Sequence, residues 1–221
     1  MRITSTLISI TGLSLGLLLN SCKKEDTTPP VITINGGNVN LVIGDSYTDA
    51  GATANDDRDG DLSSLMEVDN PVNTALAGTY IVHYSVFDNT GNEGTADRYV
   101  YVRNRSSALR GSYLVKDSVW GSGTTTSYYD SITTSNTVND RLFTTRFADQ
   151  AFGAIYMDVI NSGTGITVPS QNVNCGSPLQ LHTFITPANG TAGGSPTVIV
   201  IDYQMTVNSV TTTARATYTH Q

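Results

Sequence analysis

The stretch Val119-Trp120-Gly121-Ser122-Gly123-Thr124-Thr125-Thr126-Ser127-Tyr128-Tyr129-Asp130 places the single tryptophan of the 221-residue chain, two adjacent tyrosines and a carboxylate around a Gly- and Ser-rich turn. Flat apolar rings beside hydroxyl, amide and carboxylate groups are what a sugar ring requires, a face to stack on and an edge to hydrogen-bond. The same residues also suit a packed interior, because large aromatics dominate small β cores. If residues 125–133 form a strand, Tyr128 and Tyr129 point to opposite sides, so one of them is a surface group whichever role Trp120 takes. Trp120, Tyr128, Tyr129 and Asp130 are the candidate ligand-binding residues.

A second cluster is Asn55-Asp56-Asp57-Arg58-Asp59-Gly60-Asp61. Hard cations take several oxygens from one loop, which makes Asp57, Asp59 and Asp61 candidate calcium ligands. The spacing departs from an EF-hand: with Asn55 as position one, Met66 stands at position twelve, where the bidentate Glu belongs. Asx-rich turns need the same residue types, so calcium binding and plain turn formation are both open.

Catalytic patterns are few. Gly12-Leu13-Ser14-Leu15-Gly16 matches a nucleophile elbow but lies in an apolar leader with no strand before it. His83, His182 and His220 have no metal-ligand spacing, and neither a CxxC motif nor a phosphate-cradling glycine loop occurs. Among Asp117, Asp130, Asp140, Asp149, Asp158 and Asp202, nothing singles out a pair for glycoside hydrolysis. The chain reads as a non-enzyme, with calcium the one candidate cofactor.

Residues 1–21 read as a signal peptide: Arg2 supplies the positive start, and the apolar run Leu7–Leu19 is too short for a spanning helix of about 20 residues. Leu19-Asn20-Ser21-Cys22 resembles a bacterial lipobox, which implies acylation of Cys22, palmitate included, and a partner in the membrane. Several acyl chains together hold a protein stably where one does not. Lys24-Glu25-Asp26 resembles the surface-export signal of Bacteroidetes-type lipoproteins, which implies an outer-membrane lipoprotein facing the exterior. Residues 22–28 are then a tether, stiffened at Pro29-Pro30. Without Arg2 the net charge falls from −7 to −8, which disfavours nucleic acid as a partner. Only Cys175 remains beside Cys22, so no disulfide is expected, and Cys175 reads as a small buried hydrophobe.

The elements that must position these groups are strands. Residues 29–103 carry eleven acidic residues and three Arg, whereas six Asp in residues 104–221 balance five Arg and one Lys. That break marks two domains, 29–103 and 108–221, joined by Asn104-Arg105-Ser106-Ser107. Thr79–Phe87 alternates with period two, placing Tyr80, Val82, Tyr84 and Val86 on one face, and 95–102 returns with Val100 and Val102 on the core side. Earlier strands are expected at Val31–Ile34, Asn40–Ile43, Tyr47–Ala54 and Leu65–Asp69. Pro30-Val31-Ile32-Thr33-Ile34-Asn35-Gly36, Tyr47-Thr48-Asp49-Ala50-Gly51-Ala52-Thr53-Ala54, Asp59-Gly60-Asp61 and Ala77-Gly78-Thr79-Tyr80 leading into Asp88-Asn89-Thr90-Gly91-Asn92 resemble the bacterial immunoglobulin-like domain named after an insecticidal crystal toxin. The resemblance implies an Ig-like β-sandwich serving as spacer or adhesive module, and no catalytic residue.

In residues 108–221, alternating runs predict eight strands, at 111–119, 125–133, 141–147, 152–160, 165–168, 179–185, 197–207 and 211–219, with Asn189–Gly194 as a loop. This antiparallel β domain closes as a barrel or folds as a sandwich, and it weakly resembles β modules of other surface lipoproteins through Ile166-Thr167-Val168-Pro169-Ser170-Gln171. The expected architecture is all-β throughout. Two functions fit it: an Ig-like spacer presenting a β module that binds an extracellular glycan or protein ligand, best a glycan, or a structural or adhesive cell-surface protein with no small-molecule site. Because the tether has no apolar stretch to substitute for an acyl chain, Cys22→Ala is expected to shift the protein from the membrane to the soluble fraction of lysed cells, as read by immunoblot.

Overall fold

A computed structural model describes residues 24–175, 180–194, 197–207 and 210–221, and contains strands and short 3-10 turns but no α-helix among them. Cys22 and the elbow-like Gly12–Gly16 lie outside the described residues. No helix among the described residues is long and apolar enough to cross a membrane.

The N-terminal domain packs two sheets face to face. One consists of β1 (Val31–Ile34), β3 (Ala52–Asp56) and β4 (Gly60–Asp61). The other consists of β2 (Val39–Val42), β5 (Glu67–Asp69), β6 (Gly78–Phe87) and β7 (Glu93–Arg103), in the order β2-β7-β6-β5. The β6–β7 hairpin runs from Gly78↔Val102 to Phe87↔Glu93. Its alternation is the one expected: Val82 and Tyr84 are buried with Val100 and Val102, and Val86 is buried with Ala54 and Leu62. β2 runs parallel to β7.

The expected strand Tyr47–Ala54 is realised only from Ala52 onward, because residues before it serve a different bond. Asp49 pairs there with Arg98 of β7, a guanidinium 1% exposed. Arg98 Nη2 also donates to the carbonyls of Asn35 (2.5 Å) and Gly51 (2.9 Å), and the Tyr84 hydroxyl donates to Asp49 at 2.7 Å. The buried charge is thus paired and hydrogen-bonded from both sheets, as burial of an ion demands.

Asn104–Leu109 is not an open hinge. Arg105–Leu109 makes a 3-10 turn, and the buried Asn104 amide donates to Ser135 O (3.0 Å) and Val138 O (2.9 Å) of the second domain. Ala77 N to Asn136 O (2.7 Å) and Asn139 Nδ2 to Ile43 O (3.3 Å) add direct bonds between the domains.

The second domain is a closed barrel. β8 (Gly111–Val119), β9 (Thr125–Thr134), β10 (Arg141–Phe147), β11 (Gln150–Ile160) and β12 (Gly165–Val168) form a meander. β13 (Asn172–Cys175) then precedes β14 (Gln180–Gly193), β15 (Val198–Val207) and β16 (Val210–His220), and β16 returns to β8. Closure comes from β12 pairing with the second half of β14, Gly165↔Thr191 through Val168↔Ala188, while β13 pairs with the first half, giving eight strands in the ring. The expected loop Asn189–Gly194 is therefore strand up to Gly193. The register of β14 shifts between Ile185 and Asn189, a stretch containing Pro187, whose missing N–H suits an interruption of the ladder. β13 was not anticipated, and the side chain of Cys175 is outside those described.

Gly190 sits where this closing strand crosses β15. A Cβ there would stand 2.1 Å from the Val200 carbonyl oxygen, backbone that cannot swing aside. Gly190→Ala is expected to cost about 1–3 kcal/mol of barrel stability, as overpacking does, measured as a fall in the urea midpoint.

Candidate ligand-binding face

Strand alternation sorts the candidate residues. Tyr128 (4% exposed) and Asp130 (6%) point into the barrel, whereas Tyr129 (67%) and Trp120 (54%) are outside. Tyr128 and Asp130 are thus not available to a ligand on the outer surface. Core packing, the other role open to Trp120, does not apply. The indole leaves the barrel because Trp120 begins the β8–β9 turn, where Gly121 (φ 87°) and Gly123 (φ 67°) take left-handed conformations that glycine tolerates. Its backbone N–H is fixed to Thr213 O at 2.9 Å.

Beside the indole lies the outer face of β15, β16, β8 and β9. The register lines up Asp202, Arg215, Ser118 and Thr125 in one cross-strand row. Arg215 sits over the Trp120 ring, its guanidinium carbon 6.0 Å from the centroid. Two parallel bonds pin its fork to Asp202, Nε to Oδ1 at 2.6 Å and Nη2 to Oδ2 at 2.8 Å. The Ser118 and Thr125 hydroxyls meet at 3.1 Å. The next row carries Thr217, Lys116 and Ser127. An apolar ring, an oriented guanidinium and a field of hydroxyls therefore share one surface. Tyr129 lies five register positions from the turn, roughly 17 Å along the strand, so it is a separate platform. Arg215, Asp202, Ser118 and Thr125 were missed in the sequence because only closure of the ring puts β16 beside β8.

The inward groups form a polar layer at one end of the barrel. Tyr203 donates to Asp117 Oδ2 at 2.7 Å, while Thr144 Oγ1 and the Ser131 amide (2.7 Å) donate to Asp130. Burial raises both carboxyls above the ordinary range against these donors, and at Asp117 the nearby Asp149 adds to the rise. The Arg146–Asp149 pair (2.6 Å) stands at the β10–β11 turn, with Arg146 over the Tyr128 ring at 5.1 Å. Of the other carboxylates weighed for hydrolysis, Asp140 pairs with Arg105 and Asp158 with Arg141.

The calcium candidates do not converge among the described residues. Asp57 is exposed, Asp59 Oδ2 accepts from Asn89 N at 2.8 Å, and Asp61 Oδ1 accepts from Ser63 N (2.9 Å) and its hydroxyl (2.5 Å). The carboxylates brought together are Asp26, Asp56 and Asp88, all buried. β3 alternates, so Asp56 at its end faces in while Asp57 turns out with the chain. The histidines are dispersed: His83 pairs with Asp97 at 2.6 Å, His220 packs edge-on to Tyr113, and the His182 side chain is outside those described.

Residues 32–102 match the family model described as bacterial surface protein, Ig-like domain. This segment is a bacterial surface Ig-like domain. No curated protein matches the chain in sequence. Among solved structures, a lipoprotein of Bacteroides thetaiotaomicron is similar at 14% identity and TM-score 0.34, over 85% of this chain and 98% of that one. The M60 catalytic domain with two CBM51 domains of Clostridium perfringens ZmpB is similar at 20% identity and TM-score 0.28, over 78% of this chain and 14% of that one. A structure of CBM51-2 in complex with GlcNAc and INT domains from the same protein gives 13%, 0.29, 86% and 44%. Likenesses of this size do not bear on what the chain binds. The Ig-like domain ends at the docked linker, and the candidate face belongs wholly to the barrel.

The raised carboxyls set a pH dependence for the barrel. An acid whose folded pKa exceeds its unfolded value binds more protons when folded, so its contribution is full below the ordinary value of 3.8 and is lost as pH rises through the raised one. Asp117→Asn keeps an acceptor for Tyr203 and removes the ionisation. Relative to the parent, the variant is expected to gain stability as pH rises from 4 toward neutrality, checked by the difference in Tm across that range.

Proposed function

We propose that the chain is a lipid-anchored protein of the outer cell surface whose Ig-like domain holds a glycan-binding barrel away from the membrane. The observation that carries the binding reading is the exposed Trp120 indole, held at the edge of a hydroxyl-rich sheet face by the Asp202-pinned Arg215. An indole in water retains its apolar face for a partner, and Arg215 keeps donors beside it that a sugar hydroxyl can meet. Binding by one ring and a few hydrogen bonds is weak, and repetition along a polysaccharide compensates. Anchoring rests on Cys22 and outward display on Lys24-Glu25-Asp26. The role is capture without turnover, supported by the acids of the barrel being buried or held by arginines.

Trp120→Ala decides it. Since the indole is largely exposed, the variant is expected to keep its urea midpoint to within about 1 kcal/mol, the scale of a surface change. Retention on a polysaccharide affinity gel or glycan array should fall at least about tenfold, the loss of one good contact, and Arg215→Ala should reduce it too. Unchanged retention by both variants would move the site elsewhere, the cleft between the domains beside Tyr101, Arg103 and Arg110 being next in line. No retention of any glycan by the parent protein would leave the adhesive reading.

A further inference from the structure

Three carboxylates from distant parts of the chain meet at one end of the Ig-like domain. Asp26 comes from the segment read as tether, Asp56 from the end of β3 and Asp88 from the β6–β7 turn, and one oxygen of each lies within 4.8 Å of the others. They are 6%, 3% and 7% exposed. Each commits Oδ1 to its own turn: Asp26 to Thr28 N (3.2 Å), Asp56 to the amides of Arg58 and Asp59 (both 2.9 Å), Asp88 to those of Thr90 and Asn92 (both 2.8 Å). Oδ2 of Asp56 is then left for the shared centre, Oδ2 of Asp26 faces it beside Arg58, and Oδ2 of Asp88 accepts from Asn92 Nδ2 at 2.7 Å with a second lone pair remaining. Asp56 Oδ2 has no hydrogen-bond partner among the described residues and is shut off from water. A buried carboxylate oxygen in that condition costs several kcal/mol unless a cation meets it.

The nearby cation is too little for this. Arg58 is half exposed, and its Nε stands 3.5 Å from Asp26 Oδ2, beyond hydrogen-bond range. Asp88 is held in the cluster by Thr90 and Asn92, whose amides and the Thr90 hydroxyl (3.0 Å) donate to Oδ1. Three carboxylates facing one guanidinium leave a formal charge of −2. A small buried space lined by hard oxygens with that charge matches one divalent cation.

We propose that Asp26, Asp56 and Asp88 bind a single calcium ion that locks the anchor-proximal segment onto the Ig-like domain. Calcium is the better fit than magnesium because the three carboxylates are fixed by their turns, and magnesium demands a near-ideal octahedron and sheds its waters reluctantly. With the ion in place, Lys24–Thr28 is a fixed stalk base. Without it, the segment is held by the Arg58 Nη1 bond to Lys24 O (2.7 Å), the long contacts of Thr90 and Asn92 to Asp26 O, and that of Asn92 to Thr28 O.

The test is calorimetric titration of calcium into the full chain after chelator treatment, with melting curves in calcium and in EGTA. One ion per chain is expected, with a higher melting point in calcium and slower tryptic cleavage after Lys24. Asp56→Asn keeps the acceptor for the Arg58 and Asp59 amides, and Asp26→Ala lies outside both sheets. Each should weaken calcium at least about tenfold while the EGTA melting curve stays at the parent's position. Asp57→Asn and Asp61→Asn should leave binding unchanged. Absence of both heat and melting shift in the parent overturns the proposal, as does calcium binding that survives Asp26→Ala and Asp56→Asn together or is lost in Asp57→Asn.

Discussion

Closure of the barrel through the β12–β14 ladder is the constraint on which the second domain depends. A sheet has two faces and two edges, and closing it abolishes the edges and converts the faces into an interior and an exterior. Every alternating strand must then commit its odd and even positions to one side or the other. That is why Tyr128 and Tyr129, neighbours in the chain, end as a core residue and a surface residue, and why Asp130 is withdrawn from solvent with Tyr128. The same closure places β16 against β8 and so brings Arg215 to Trp120. The bulge near Pro187 lets one long strand serve both β13 and β12.

Charge is handled differently in the two domains. In the barrel, the arginines sit outside and pair with carboxylates across neighbouring strands or within a turn, as Arg141–Asp158, Arg215–Asp202 and Arg146–Asp149 do, at exposures where each pair adds little stability but orients both side chains. In the Ig-like domain the pairing is interior. Arg98 is one of only three arginines among eleven acidic residues, and it is spent at the centre, where it joins Asp49, two carbonyls and, through Tyr84, both sheets. Of the other acids, Asp61 forms a turn with Ser63, Asp97 pairs with His83, and Asp56 and Asp88 converge with Asp26 beside Arg58 at the end of the domain away from the barrel.

The two domains are not beads on a flexible string. Asn104, at the junction, is buried and bonded into the barrel, and the Ig-like domain contacts the β9–β10 connection through Ala77 and Ile43. At the opposite end of the Ig-like domain, the segment Lys24–Thr28 is attached through Asp26. Together these contacts restrict the orientation of the path from Lys24 to the barrel.

Much of the fold was legible from period-two alternation, because burial on one face of a strand is a local property: the core side of β6 and β7 and the limits of β8, β10 and β12 follow directly from it. The Ig-like identity was also legible, since its turn residues are specific and contiguous. What alternation could not decide were contacts between residues far apart in the chain. The parallel β2–β7 pairing, the strand character of the glycine-rich Asn189–Gly193 and the barrel closure all depend on partners supplied by other strands. The candidate sites divide the same way. Trp120 was visible as a lone indole in a turn, but its exposure and its Arg215–Asp202 partner were decided by the ring. The Asp-rich loop drew attention to Asp57, Asp59 and Asp61, yet the converging carboxylates are Asp26, Asp56 and Asp88, because convergence is set by where three separate turns meet in space and composition reports only how many acids one loop contains.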